Sequence, residues 1–129
     1  PDDARSMILQ ACRALFAPGQ VTELRILGLP GPRGRFPACG WFDDPEKLAA
    51  VAANFDANGK PEGTYATLNP VHSACMARSP NGVKEFMKTA TTKKDILRRH
   101  WLPIDVDPAG RPNPLYWIFP ESRNMVTNA

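Results

Sequence analysis

The sequence has few of the residues that build disulfide frameworks or metal clusters. It contains three cysteines and two histidines in 129 residues. The cysteines, Cys12, Cys39 and Cys75, are odd in number and widely separated. Such a set predicts neither a disulfide scaffold nor a zinc site, whose ligands cluster at short spacing. We therefore expect a reducing, cytoplasmic location.

Long apolar runs are also missing. No stretch approaches the roughly 18 consecutive apolar residues of a membrane-spanning helix. No charged-then-apolar leader precedes the first helical pattern. The glycine-rich residues 28–40 lack the GxxxxGK[ST] spacing of a phosphate-binding P-loop. We expect no membrane partner and no P-loop. Because the chain begins at Pro1 rather than at methionine, we expect it to be a piece of a longer protein.

Proline and positive charge are the two features in excess. The 14 prolines are more than twice the average usage of roughly 5%, which predicts many loops and short elements. The formal net charge of +3 is compatible with nucleic-acid or nucleotide partners but does not require them. The length predicts a single domain over residues 1–129.

Apolar periodicity predicts helices that alternate with strands. Asp44, followed by Pro45 and Glu46, is the clearest helix start in the chain. Residues 28–40 are either a loop or the wide turn of a hairpin that returns through residues 40–42. The order predicts an α+β or α/β domain with a mixed sheet and flanking helices. The predicted helices span residues 2–16 and 42–56, and the predicted strands span 21–27, 64–68, 101–107 and 115–119.

Two acidic residues, Asp105 and Asp107, lie one position apart in the predicted strand 101–107. Alternation would place both on one face, with Ile104 and Val106 toward the core. Neighbouring carboxylates raise each other's pKa unless a cation lies between them. Oxygen ligands suit Mg²⁺ or Mn²⁺, as in two-metal phosphoryl transfer. The alternative is that the Asp-x-Asp-Pro sequence simply ends a strand in a turn.

Four segments carry a family resemblance. They are "VTELRILG", "GWFDDPEKLA", "YATLNPV" and "TTKKDILRRHWLPIDVDP", within residues 21–108. Together they resemble the N-terminal catalytic region of primase-polymerases of the archaeo-eukaryotic primase superfamily, in the branch found in phages, plasmids and other mobile elements. The resemblance implies DNA primase/polymerase activity in replication, with Asp105 and Asp107 as catalytic ligands of Mg²⁺ or Mn²⁺. It also implies a single-stranded nucleic-acid template, nucleoside triphosphates and, in the full-length protein, a helicase domain or partner.

The chain departs from that family after the aspartate pair. Proteins of this type have a Ser-x-His-like motif and a further acidic ligand downstream, whereas only 22 residues follow Asp107, and we assign neither feature to them. We therefore expect an incomplete catalytic domain that is inactive as this short chain. The alternative is a catalytically silent nucleic-acid-binding or interaction module derived from such an enzyme.

A basic stretch precedes the aspartate pair. Six basic and two acidic residues lie between Lys84 and Arg99. They predict either a ridge that attracts phosphates or a solvated helix face. The phosphate-binding or nucleic-acid-binding candidates are Lys93, Lys94, Arg98 and Arg99.

Two further residues are candidates for substrate contact, Asn69 and His100. The alternatives are a turn-forming role for Asn69 and a structural hydrogen bond for His100. The tryptophans are expected to pack in the core.

Overall fold

The computed structural model describes residues 2–104, which form two helices and a four-stranded antiparallel sheet. The strand order across the sheet is β3-β1-β2-β4. The α+β class with flanking helices is therefore confirmed. The elements are α1 (Asp2–Leu15), β1 (Thr22–Leu29), β2 (Phe36–Phe42), α2 (Pro45–Asn58), β3 (Gly63–Ala66) and β4 (Lys84–Glu85), with 3-10 helices at Ser73–Arg78 and Lys93–Asp95.

Helix α2 begins where the sequence predicts it. The Asp44 carboxylate accepts hydrogen bonds from the amides of Glu46 at 2.9 Å and Lys47 at 3.3 Å. These bonds satisfy two of the amides that have no partner within the first turn of a helix. At the other end, the Gly59 amide donates to the carbonyl of Phe55 at 2.8 Å.

Strands β1 and β2 form a hairpin, as the second of the two possibilities for residues 28–40 predicts, but the connection is shorter than predicted, because β1 extends to Leu29 and β2 already begins at Phe36. Leu24 pairs with Gly40 in the antiparallel register, and the register shifts between Ile26 and Leu29. Gly28 lies at this irregularity with a φ of +69°, a conformation that glycine adopts at little cost.

The two helices cover one face of the sheet. Because side chains alternate along a strand, Leu24 and Ile26 of β1 point into this layer, while their neighbours point to the opposite face. The buried core between sheet and helices consists of Cys12, Leu24, Ile26, Leu29, Ala38, Phe42, Leu48 and Ala52. No helix within residues 2–104 is both long enough and apolar enough to cross a membrane.

A second apolar cluster lies on the opposite face of the sheet. Trp41 is fully buried there, as the sequence predicts, and its indole Nε1 donates to the hydroxyl of Thr91 at 2.9 Å. This bond ties β2 to the segment after β4. The cluster consists of Val21, Cys39, Trp41, Val71 and Cys75.

The predicted strand 101–107 is wrong over its described part. Residues 101–104 form no strand, and Ile104 is 72% exposed instead of pointing into the core. The amides of His100 and Trp101 donate to the side chain of Asn69 rather than to a neighbouring strand, and Pro103 has no amide hydrogen to offer. Trp101, which was predicted to pack in the core, is instead 43% exposed and donates through Nε1 to the carbonyl of Leu15.

Several predictions fall outside the described residues. They concern Asp105 and Asp107, the remainder of the strand 101–107, and the strand 115–119 with Trp117.

Candidate functional site

A groove of about 910 Å³ lies on the sheet face opposite the helices. Its floor comes from β1 and β3, and its wall from residues 91–99 together with Pro103. The lining combines charged side chains with an aromatic and several aliphatic ones. A cavity of this size and mixed character is typical of a small-molecule or nucleotide-sized ligand site.

Strand β1 supplies the charged part of the floor. Since Leu24 and Ile26 point into the helical core, Glu23, Arg25 and Leu27 face the groove. Glu23 and Arg25 lie in the predicted strand 21–27 but are not among the site residues predicted from the sequence. The sequence signal that could have identified them is the presence of two charged residues on one face of a mostly apolar strand.

The groove carries an excess of positive charge. Arg25, Lys93, Arg98 and Arg99 line it, and Glu23 is the acidic residue among the described lining residues. Lys94 is exposed but does not line the groove. Of the four predicted phosphate-binding residues, the structure therefore brings three together and adds Arg25. Guanidinium groups bind phosphate oxygens in bidentate fashion, so this lining suits a phosphate-bearing ligand.

Glu23 fixes the position of Arg25. The Glu23 side chain is 1% exposed, and its Oε1 accepts from Arg25 Nε at 2.7 Å and lies 2.6 Å from Nη2. Its other oxygen, Oε2, accepts from the amide of Thr91 at 2.6 Å, and the Thr91 carbonyl in turn accepts from Arg25 Nη2 at 3.3 Å. Arg25 is thus held in one orientation, and 37% of its side chain remains exposed.

Of the two candidates for substrate contact, Asn69 lies in the groove lining and His100 does not. Asn69 is 8% exposed. Its side-chain Oδ1 accepts from the backbone amides of His100 at 2.8 Å and Trp101 at 2.9 Å, and its Nδ2 donates to the carbonyl of Trp101 at 3.1 Å. Asn69 therefore holds the chain just after Arg98 and Arg99 against the sheet. His100 is exposed and does not line the groove.

The turn that carries Lys93 is closed by a capping box between Thr92 and Asp95. The Thr92 amide donates to Asp95 Oδ2 at 2.9 Å, and Arg78 Nη2 lies 3.5 Å from Asp95 Oδ1. The hydrogen bond from the Thr92 backbone is the main cause that lowers the pKa of Asp95, and Arg78 lowers it further. The ionised carboxylate therefore stabilises this turn.

No group of three or more His, Cys, Asp or Glu side chains that could hold a metal occurs within residues 2–104. Glu23, the carboxylate in the groove, already binds Arg25 and Thr91. The predicted ligands Asp105 and Asp107 lie outside the part of the chain that the structure describes.

The three thiols are unsuited to nucleophilic chemistry. Cys12, Cys39 and Cys75 are free and buried. Burial is the largest cause that raises the pKa of each thiol, which disfavours the reactive thiolate.

No family model matches this chain, and no curated protein or solved structure matches it significantly. The resemblance to primase-polymerases therefore depends on the sequence segments quoted above.

Proposed function

We propose that this chain is part of a nucleotidyltransferase of the primase-polymerase type, which joins nucleotides on a single-stranded template. The observation that carries the proposal is the groove, in which Arg25, Lys93, Arg98 and Arg99 face one cavity. Their positive charge would attract the phosphates of a template or of a nucleoside triphosphate.

Arg25 supports this proposal because its orientation is fixed before any ligand binds. The Glu23 carboxylate and the Thr91 carbonyl hold its guanidinium from one side. A side chain that is already ordered loses less conformational entropy on binding than a free surface arginine. Glu23 also neutralises part of the charge of Arg25, so the net charge of the described lining is +3.

The metal ligands in this proposal are Asp105 and Asp107. Asp105 follows Pro103, a lining residue of the groove, by two positions in the sequence. A bound Mg²⁺ or Mn²⁺ would activate the attacking hydroxyl group and stabilise the departing pyrophosphate. The chain's own part, on this proposal, is to bind and orient the phosphates through the groove cations.

A catalytically silent nucleic-acid-binding module is the second candidate. It is favoured by the absence of a Ser-x-His motif from residues 108–129, in which Glu121 is the one acidic residue. Under this alternative the groove still binds nucleic acid. A domain unrelated to primases, in which Asp105 and Asp107 end a strand in a turn, is the third candidate.

The setting we propose is the replication machinery of a mobile element in the cytoplasm, with a helicase as a domain or partner of the full-length protein. The three free cysteines, Cys12, Cys39 and Cys75, are compatible with a reducing compartment.

Two assays test these candidates, the first on this chain and the second on the full-length protein, because this chain alone is expected to be inactive. The first measures Mn²⁺ binding by calorimetry in the wild type, in the Asp105→Asn/Asp107→Asn double variant and in the control Asp56→Asn, which changes an exposed aspartate of α2. The second measures incorporation of labelled nucleotides on a single-stranded template. We expect Mn²⁺ binding in the wild type and the control but not in the double variant.

The outcomes separate the three candidates. Incorporation that the double variant abolishes would support the nucleotidyltransferase. Binding of single-stranded nucleic acid without incorporation would favour the silent module. Unchanged Mn²⁺ binding in the double variant would refute the assignment of Asp105 and Asp107 as metal ligands. If the chain fails to bind nucleic acid at low salt, the third candidate, a domain unrelated to primases, is favoured.

A further inference from the structure

An exposed aromatic side chain, Tyr65, lies on the floor of the groove. Tyr65 belongs to β3 at the edge of the sheet, and 57% of it is exposed. Its partner in the antiparallel register is Arg25 of β1. Directly paired residues on one face of a sheet have neighbouring side chains. An aromatic ring and an oriented guanidinium are therefore neighbours on the groove floor.

The position of the ring depends on Gly63, two residues earlier in the same strand. A Cβ atom at Gly63 would lie 2.5 Å from both Cε2 and the hydroxyl oxygen of Tyr65. The ring therefore lies over the backbone of Gly63, in the space that any other side chain would occupy. Leu27, which pairs with Gly63 and is 38% exposed, continues this apolar part of the floor.

From this arrangement we infer that Tyr65 stacks against a nucleobase while Arg25 binds an adjacent phosphate. This inference rests on the proposed function and specifies its ligand as a base-bearing phosphate compound rather than phosphate alone. Stacking on an aromatic face tolerates any base, since every base has a π-face. Aromatic side chains on an open sheet surface are a common means of binding single-stranded nucleic acid.

The test compares ligands with and without bases on the full chain. One pair of probes is a fluorescent oligothymidylate and an abasic oligomer of the same length, measured by anisotropy at low salt. The other pair is a nucleoside triphosphate and tripolyphosphate, measured by calorimetry. Tighter binding of the oligothymidylate than of the abasic oligomer would show that the stacked base belongs to a template strand. Tighter binding of the nucleoside triphosphate than of tripolyphosphate would show that it belongs to the incoming nucleotide. Either preference supports the inference.

Four variants test whether the preference for base-bearing ligands depends on the Tyr65 ring. Tyr65→Ala is expected to lose the stacking contribution, which corresponds to about 5- to 150-fold weaker binding of the base-bearing ligand. Binding of the abasic ligand is expected to stay the same. Tyr65→Phe keeps the aromatic face and the preference. Gly63→Ala keeps the tyrosine but displaces its ring, so it should reduce the preference. Phe86→Ala removes an exposed aromatic residue that does not line the groove and should change nothing.

The inference is overturned if the wild type shows no base preference in either pair, or if Tyr65→Ala retains the full preference. In both cases, tight binding of the abasic oligomer or of tripolyphosphate would still support phosphate binding in the groove. Only the stacking role of Tyr65 would then be rejected. If the wild type binds none of the four probes, the proposed function fails together with the stacking role. Circular dichroism of each variant verifies that the fold is retained.

Discussion

Replacement of Glu23 by glutamine should destabilise the fold and release Arg25. Glu23 is 1% exposed and accepts hydrogen bonds from Arg25 and from the Thr91 amide. Glutamine has nearly the same shape, but it carries no charge and presents an NH₂ group where a second acceptor oxygen is needed. The substitution therefore leaves at least one buried donor without an acceptor.

The expected cost follows from the burial of the two partners. A hydrogen bond to a charged group contributes about 1.5–3 kcal/mol, against about 0.5–1.5 kcal/mol for a neutral one. Breaking a fully buried ion pair costs about 3–5 kcal/mol, but the 37% exposure of the Arg25 side chain allows water to replace part of what is lost. We expect a loss of roughly 2–4 kcal/mol in the free energy of unfolding.

Urea denaturation followed by tryptophan fluorescence measures this loss. With a slope of about 2 kcal/mol per M, the midpoint should fall by roughly 1–2 M. Glu62→Gln is the matched control, because Glu62 pairs with Arg35 at the surface, where the two side chains are 63% and 51% exposed. The control should change the free energy by less than about 1 kcal/mol. Equal small effects in both variants would refute the structural role assigned to Glu23.

Two further perturbations test other parts of the same structure. Asp95→Asn should be less stable than the wild type near pH 7. Because the pKa of Asp95 is lowered from its ordinary value of 3.8, its contribution is present above that value and is lost as the pH falls through the lower folded-state pKa. The urea midpoints of the two proteins should therefore converge in acid, and a gap that persists there would contradict the role of the ionised carboxylate. Gly40→Ala would place a Cβ against the carbonyl oxygen of Gly82. We expect a loss of about 1–3 kcal/mol or more, measured by urea denaturation, and a stability equal to the wild type would contradict this close approach.

The elements that were predicted correctly have their causes close together in the sequence. The start of helix α2 at Pro45 is predicted correctly because its cap, Asp44, and the amides that the cap satisfies lie within three residues. Strand β1 alternates apolar and polar residues because one face packs against the helices. Signals of this kind are visible without knowledge of the tertiary fold.

The features that were missed depend on contacts between distant residues. The backbone at residues 100 and 101 bonds to Asn69, 31 and 32 positions away, so the apolar pattern at 101–104 does not produce a strand. Glu23 is buried because it bonds to the Thr91 amide, 68 positions away. Strand β4 has only two residues, too few to show any periodicity.

The salt dependence of binding to a single-stranded oligonucleotide tests the phosphate-binding groove most directly. Each phosphate contact should contribute about −0.7 to the slope of log K against log salt concentration, so the net charge of +3 in the described lining predicts a slope of about −2.1. Lys93 lines the groove and its neighbour Lys94 does not. Lys93→Gln should therefore make the slope shallower by about 0.7, whereas Lys94→Gln should leave it unchanged. Equal slopes for the two variants, or binding by the wild type that does not depend on salt, would contradict the account.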